Sequence, residues 1–120
     1  MRLPDQIPQE LRQNACSLPG PWGEEEGAWC RADALTVIGS LEGTTIPVSD
    51  VTPYRSIAWG TEIHWSVCDP VWSVHRMHNE SDINYARRSR KEAAAFIAEY
   101  EDGSDELLFA LTFPTWKDAA

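Results

Sequence analysis

Ser89-Arg-Lys-Glu-Ala-Ala-Ala-Phe-Ile-Ala-Glu-Tyr-Glu-Asp-Gly103 is the stretch from which the fold is read. Ser89-x-x-Glu92 has the form of a capping box, in which the serine oxygen accepts from the third helical amide and the glutamate reaches back. A helix is therefore expected from Arg90 to about Glu101, with Gly103 as a left-handed stop. Ala93, Phe96, Ile97 and Tyr100 fall on one side of it at helical spacing. Such a stripe needs a flat apolar partner, and the short strands around it supply a sheet.

In Thr61 to Cys68, Ile63, Trp65 and Val67 alternate with Glu62, His64, Ser66 and Cys68. Period two marks a half-buried antiparallel strand, and Gly60 joins it to a partner from Tyr54 to Trp59. Ala34 to Ile38 is β-branched and pairs, across a turn at Glu42-Gly43, with Thr44 to Val48. Pro47 puts that second strand at an edge. Asp69-Pro70 turns the chain into Val71 to Met77, and a polar turn from His78 to Asp82 leads to a short strand, Ile83 to Arg87. The last strand, Glu106 to Phe113, has Leu107, Phe109, Leu111 and Phe113 on one side and ends at Pro114.

Residues 1–32 read differently. Pro4, Pro8, Pro19 and Pro21, with Gly20, Gly23 and Gly27, disfavour long regular elements. One short helix fits from Pro8 to Ala15, followed by an exposed loop from Leu18 to Gly27 anchored by Trp22 and Trp29. The expectation is one domain, 1–120, divided into a loop-rich segment (1–32) and a sheet-plus-helix segment (33–120). The class is α+β: an antiparallel sheet of about five to six short strands, packed by one C-terminal capped helix, behind an irregular N-terminal region. No glycine-rich strand-to-helix turn exists to cradle a nucleotide phosphate.

With 42% hydrophobic and 24% charged residues among 120, the chain has the composition of a folded domain. Its apolar runs fall well short of the roughly 20 residues of a membrane helix. The opening MRLPDQIPQELRQN lacks the apolar centre of a secretory signal, so the expected location is cytoplasmic, with no membrane partner. Three cysteines, Cys16, Cys30 and Cys68, then read as free thiols; Cys16 with Cys30 is the alternative bridge. The net charge of −9 argues against direct binding to a phosphate backbone.

Charge placement points to a partner. Glu24-Glu25-Glu26 forms one acidic block; Glu92, Glu99, Glu101, Asp102, Asp105 and Glu106 form another without an intervening Lys or Arg. Acids at the C-terminal end of a helix oppose its dipole, so a surface kept for a cationic counterpart is one reading and a solvated face the other. Trp22 and Trp29 flank the first block as interface anchors or as pins for the loop. The expected partner-binding set is Trp22, Glu24, Glu25, Glu26, Trp29, Glu99, Glu101, Asp102, Asp105 and Glu106.

The expected function is that of a small acidic, non-enzymatic binding protein that inhibits or regulates a basic protein or a nucleic-acid-binding complex. Bacterial immunity proteins and phage-encoded inhibitors are the type, and no cofactor is expected. Two alternatives are carried. His64, Cys68, His75 and His78 could gather around zinc, or Cys68 could act as a nucleophile with His64 or His75 and Asp69 as orienter. Arg87, Arg88, Arg90 and Lys91 could contact nucleic acid from a helix N-terminus. Nothing in the sequence bears on oligomeric state.

Overall fold

Strand pairing throughout is antiparallel, and the last strand of the chain lies at the middle of the sheet. The computed structural model describes residues 3–21, 23–101 and 107–114. Within them, α1 (Gln9–Asn14) leads into a hairpin of β1 (Cys16–Pro19) and β2 (Glu25–Trp29). Then follow α2 (Arg31–Ser40), β3 (Asp50–Trp59), β4 (Glu62–Val67), β5 (Trp72–Ser73), α3 (Asp82–Glu99) and β6 (Leu107–Thr112). The sheet order is β1-β2-β6-β3-β4, with β5 also pairing with the start of β3. This is the α+β fold expected from the sequence, an antiparallel sheet with a C-terminal helix. None of the described helices is long and apolar enough to cross a membrane.

Several elements differ from their local reading. Ala34 to Ile38 is not a strand but the centre of α2, because Ala34, Val37, Ile38 and Leu41 bury at helical spacing against the core. Burial of one stripe outweighs the β preference of a short branched run. Ile83 to Arg87 belongs to α3, which begins eight residues before the expected start at Arg90. Its cap is Ser81, whose side chain accepts from the Asn84 amide at 3.2 Å. Ser89 is fully buried in mid-helix, accepting from the Val48 amide at 3.1 Å and donating to the Ala86 carbonyl.

Arg90, also buried, donates to the carbonyls of Ile46 at 2.7 Å and Thr44 at 3.0 Å. These bonds explain why Thr44 to Val48, expected as an edge strand, is not one: α3 side chains satisfy backbone groups that a ladder would otherwise serve. The span from Val71 to Met77 contributes only Trp72–Ser73 as strand. Leu18 to Gly27, read as an exposed loop, is largely the β1–β2 hairpin, in register Leu18↔Glu26. Proline is tolerated there because β1 is an edge strand.

One face of the sheet carries Trp29, Val51, Phe109 and Leu111 and packs beneath α2 and α3 through Val37, Leu41, Ala93 and Ile97. The expected stripe on α3 holds: Ala93, Ile97 and Tyr100 are buried, and Phe96 lies at the core's edge against Tyr100. The opposite face is lined by a smaller cluster, Leu18, Ala28, Tyr54 and Ala110. The Tyr54 hydroxyl donates to the Pro19 carbonyl, joining β3 to β1 across two intervening strands, as the curl of the sheet requires.

Candidate functional site

Two features stand apart from ordinary core packing. The first is an arm. Among the described residues β3 pairs with β6 as far as Arg55↔Leu107, and its pairing with β4 continues to Trp59↔Glu62, closed by Gly60 at φ +66°. Four residues of strand beyond Arg55 extend about 13 Å. Directly paired residues share a face, so Ala58, Ile63, Trp65 and Val67 lie on one side, and Ile57 and Trp59 on the other with Glu62 and His64. Trp59 is 75% exposed and Ile63 69%; Ile57 and Val67 are exposed as well. The alternation read from the sequence is present: Trp65 is half-buried against the cluster of Leu18, Ala28, Tyr54 and Ala110, whereas Ile63 and Val67 on the same side are exposed.

Among the described residues β4 is also an edge strand. The Cys68 amide donates to the Pro53 carbonyl at 2.9 Å, which sets the parity of the ladder. By that parity Ile63, Trp65 and Val67 turn their backbone N–H and C=O groups away from β3, toward the open side. An exposed apolar edge of this kind is a template for pairing with another chain.

The second feature is a polar row on the face opposite the helices. Thr112 pairs with Asp50, and the β2–β6 register, carried one step past Gly27↔Leu111, places Glu26 beside Thr112. Thr52 follows Asp50 on the same side of β3. Asp50 is buried and accepts from the Ser49 hydroxyl at 2.7 Å. The hydroxyls of Thr52 and Thr112 are buried without a hydrogen-bond partner. Glu26 is half-buried, and desolvation, reinforced by the negative charges of Glu24 and Asp50, raises its pKa to about 7. Its side chain lies so close to the β1–β2 turn that a Cβ at Gly20 would fall 2.5 Å from Glu26 Cγ.

The expected partner-binding residues do not form one patch. Trp29 is 1% exposed and donates from Nε1 to the Leu11 carbonyl at 2.7 Å, so it pins α1 to the sheet and offers no interface. Glu24 and Glu25 are exposed at the start of β2. Glu99 and Glu101 are exposed at the end of α3, beside Arg31, which follows β2. The described parts of the two acidic blocks therefore stand toward opposite ends of β2. Trp22, Asp102, Asp105 and Glu106 lie outside the described residues.

The C-terminal end of α3 is met by a cation from another helix. Arg31 donates to the carbonyls of Ile97 at 3.0 Å and Ala98 at 3.1 Å, supplying from α2 the positive charge that the end of α3 lacks in its own sequence. Glu92 pairs with Arg88 at 3.1 Å, one turn away.

The alternative sites lose their geometry. His64 and Cys68 are four extended residues apart, about 13 Å, far beyond a shared zinc shell. His64 Nε2 lies 3.2 Å from a Glu62 oxygen, and Cys68 Sγ faces the Ser66 carbonyl at 3.8 Å. His75 and His78 are exposed, and among the described residues no three His, Cys, Asp or Glu side chains are placed to hold a metal ion. All three cysteines are free thiols.

The basic run is mid-helix, not at an N-terminus. Arg90 is buried on the 44–46 carbonyls, and Arg88 binds Glu80 at 2.7 Å and the His75 carbonyl at 2.9 Å. The Arg88 bond holds the Glu80 carboxyl down at about 2. Only Arg87 and Lys91 of the four are exposed to solvent. No protein-family model, curated protein sequence or solved structure matches the chain.

Proposed function

We propose that this chain is a small binding protein that docks on a basic partner protein and inhibits or regulates it, in the manner of immunity proteins and phage-encoded inhibitors. The observation that carries the reading is the arm: Ile57, Trp59, Ile63 and Val67 are exposed together on a hairpin that extends past the described part of β6. Monomeric proteins rarely keep such residues in water on both faces of one hairpin without an interaction to use them. The partner adds a strand along β4, taking the outward amides and carbonyls of Ile63, Trp65 and Val67, while Trp59 enters a pocket as anchor. The chain's net charge of −9 selects a basic partner and speeds the encounter at low salt. A nucleic-acid-handling protein, whose own groove is cationic, has the required chemistry. No catalytic step belongs to this reading.

The test is affinity capture from host lysate with two baits, the native chain and a Trp59→Ser/Ile63→Ser variant. A basic protein retained by the native chain, released by salt and lost from the variant is the expected result. Equal retention by both baits would remove the arm as the docking surface, and an acidic captured protein would remove the electrostatic selection.

A further inference from the structure

A buried carboxylate, a half-buried one and two unpartnered buried hydroxyls on one face of a sheet oppose folding unless something satisfies them. Asp50 has one hydroxyl donor from Ser49, and no Lys or Arg forms an ion pair with it among the described residues. Thr112 stands between Glu26 and Asp50 by register, with Thr52 next along β3. From Glu26 to Asp50 the row crosses two strand spacings, about 10 Å of backbone, which the curl shortens at the side-chain tips. All four groups offer oxygen acceptors, and beside them lie the small apolar side chains of Ala28 and Ala110.

This arrangement matches a charged group with several N–H donors on an aliphatic stem. We infer that Glu26, Asp50, Thr52 and Thr112 form a receptor for a primary ammonium group, supplied by a lysine side chain of the basic partner. An ammonium donates three hydrogen bonds and needs no acceptor of its own, so it fits a row of carboxylates and hydroxyl oxygens. The aliphatic stem of the lysine then passes over the alanines, keeping the charge at the row. The identity of the source rests on the functional reading above; the site itself does not.

Titration of the 15N-labelled chain with Nα-acetyl-lysine-methylamide at pH 8 tests the receptor without any partner. Saturable shifts are expected at the amides of Gly27, Asp50 and Thr112. Removal of one acceptor in Thr112→Val should weaken the probe about fivefold, the effect of one hydrogen bond of about 1 kcal/mol. A bound cation favours the ionised carboxylate, so the side-chain titration midpoint of Glu26 should fall from its value of about 7 when the probe saturates.

The norleucine analogue, which has no charge, should give no saturable shift; equal shifts would reduce the contact to apolar packing and overturn the proposal. Calcium chloride saturating the same amides more tightly than lysine would reassign the site to a hard metal ion. Absence of saturation with any probe would leave only trapped water. Any of these results with arm-dependent capture intact removes the receptor and keeps the docking reading. Capture that ignores the arm substitutions, beside a lysine probe that still saturates, does the reverse.

Discussion

The first half of β3, Asp50–Tyr54, and its second half, Arg55–Trp59, belong to one continuous strand and have opposite surroundings. All five residues of the first half are buried; of the second, only Ser56 is partly covered. The first half is flanked by β6 on one side and by β4 and β5 on the other, with α2 and α3 beneath. Past Arg55, which still pairs with Leu107, the described strands leave the second half β4 as its ladder neighbour. Both halves contain large apolar residues, so composition does not separate them. The difference lies in how far the described neighbouring layers reach, and it separates a buried body from an exposed arm.

The largest expected effect falls on the body. Phe109 lies at 0% exposure opposite Pro53 and against the ring of Tyr100 at 5.7 Å. Phe109→Ala removes a large buried ring and should destabilise by about 3–5 kcal/mol. Urea unfolding followed by tryptophan fluorescence would measure this. A loss below about 1 kcal/mol would mean that the sheet does not depend on its helix-covered face, and the comparison would fail at its first term.

How much of this contrast the sequence conveyed depends on the range of the interaction. The apolar stripe of α3, the hairpin around Gly60 and the alternation in the last strand are periodic within a few residues, and each is present. α2 was hidden because the β-branched run Thr36, Val37 and Ile38 favours extended backbone locally, while the burial that makes it helical comes from elements remote in the chain. Ser89 resembled a cap by spacing alone. Its actual partner, the Val48 amide, is 41 residues away.

The polar row was out of reach for the same reason. Its members come from β2, β3 and β6, and no local pattern joins Glu26 to Asp50 and Thr112. Gly20 carried the one available signal, a glycine six residues before a glutamate that packs over it, but its meaning depends on the hairpin register. As for the arm, alternation in Ile63, Trp65 and Val67 tells which side they share and cannot tell whether another layer covers that side.

An intermediate effect, dependent on pH, is expected from Glu26 in the body. Its folded pKa of about 7 lies above the ordinary 4.5. Between those values the folded state holds a proton that the unfolded state has released, so stability falls as pH rises through this window and the penalty is complete above about 7. Glu26→Gln removes the ionisation. It should leave stability unchanged below pH 4 and raise it at pH 8 by about 1–2 kcal/mol, a full-shift value reduced because the side chain is half in solvent. Equal stability of native chain and variant at pH 8 would show that the carboxylate is solvated in the folded state and would blunt the contrast between body and arm.

The smallest effect should come from the arm, and it decides the most. Trp59→Ser with Ile63→Ser deletes two large apolar side chains, yet each is more than two-thirds exposed, so little apolar area returns to water on unfolding. The two lie on opposite faces of the hairpin, so neither supports the other. The expected change in unfolding free energy is within about 0.5 kcal/mol, the range of ordinary surface substitutions. Urea midpoints of the two proteins, compared at equal slope, would measure it. A loss above about 1.5 kcal/mol would show that in solution the arm lies against the body and is already covered by its own chain. An unchanged midpoint would leave Trp59 and Ile63 outside the fold's own stability, as the proposed docking on a partner requires.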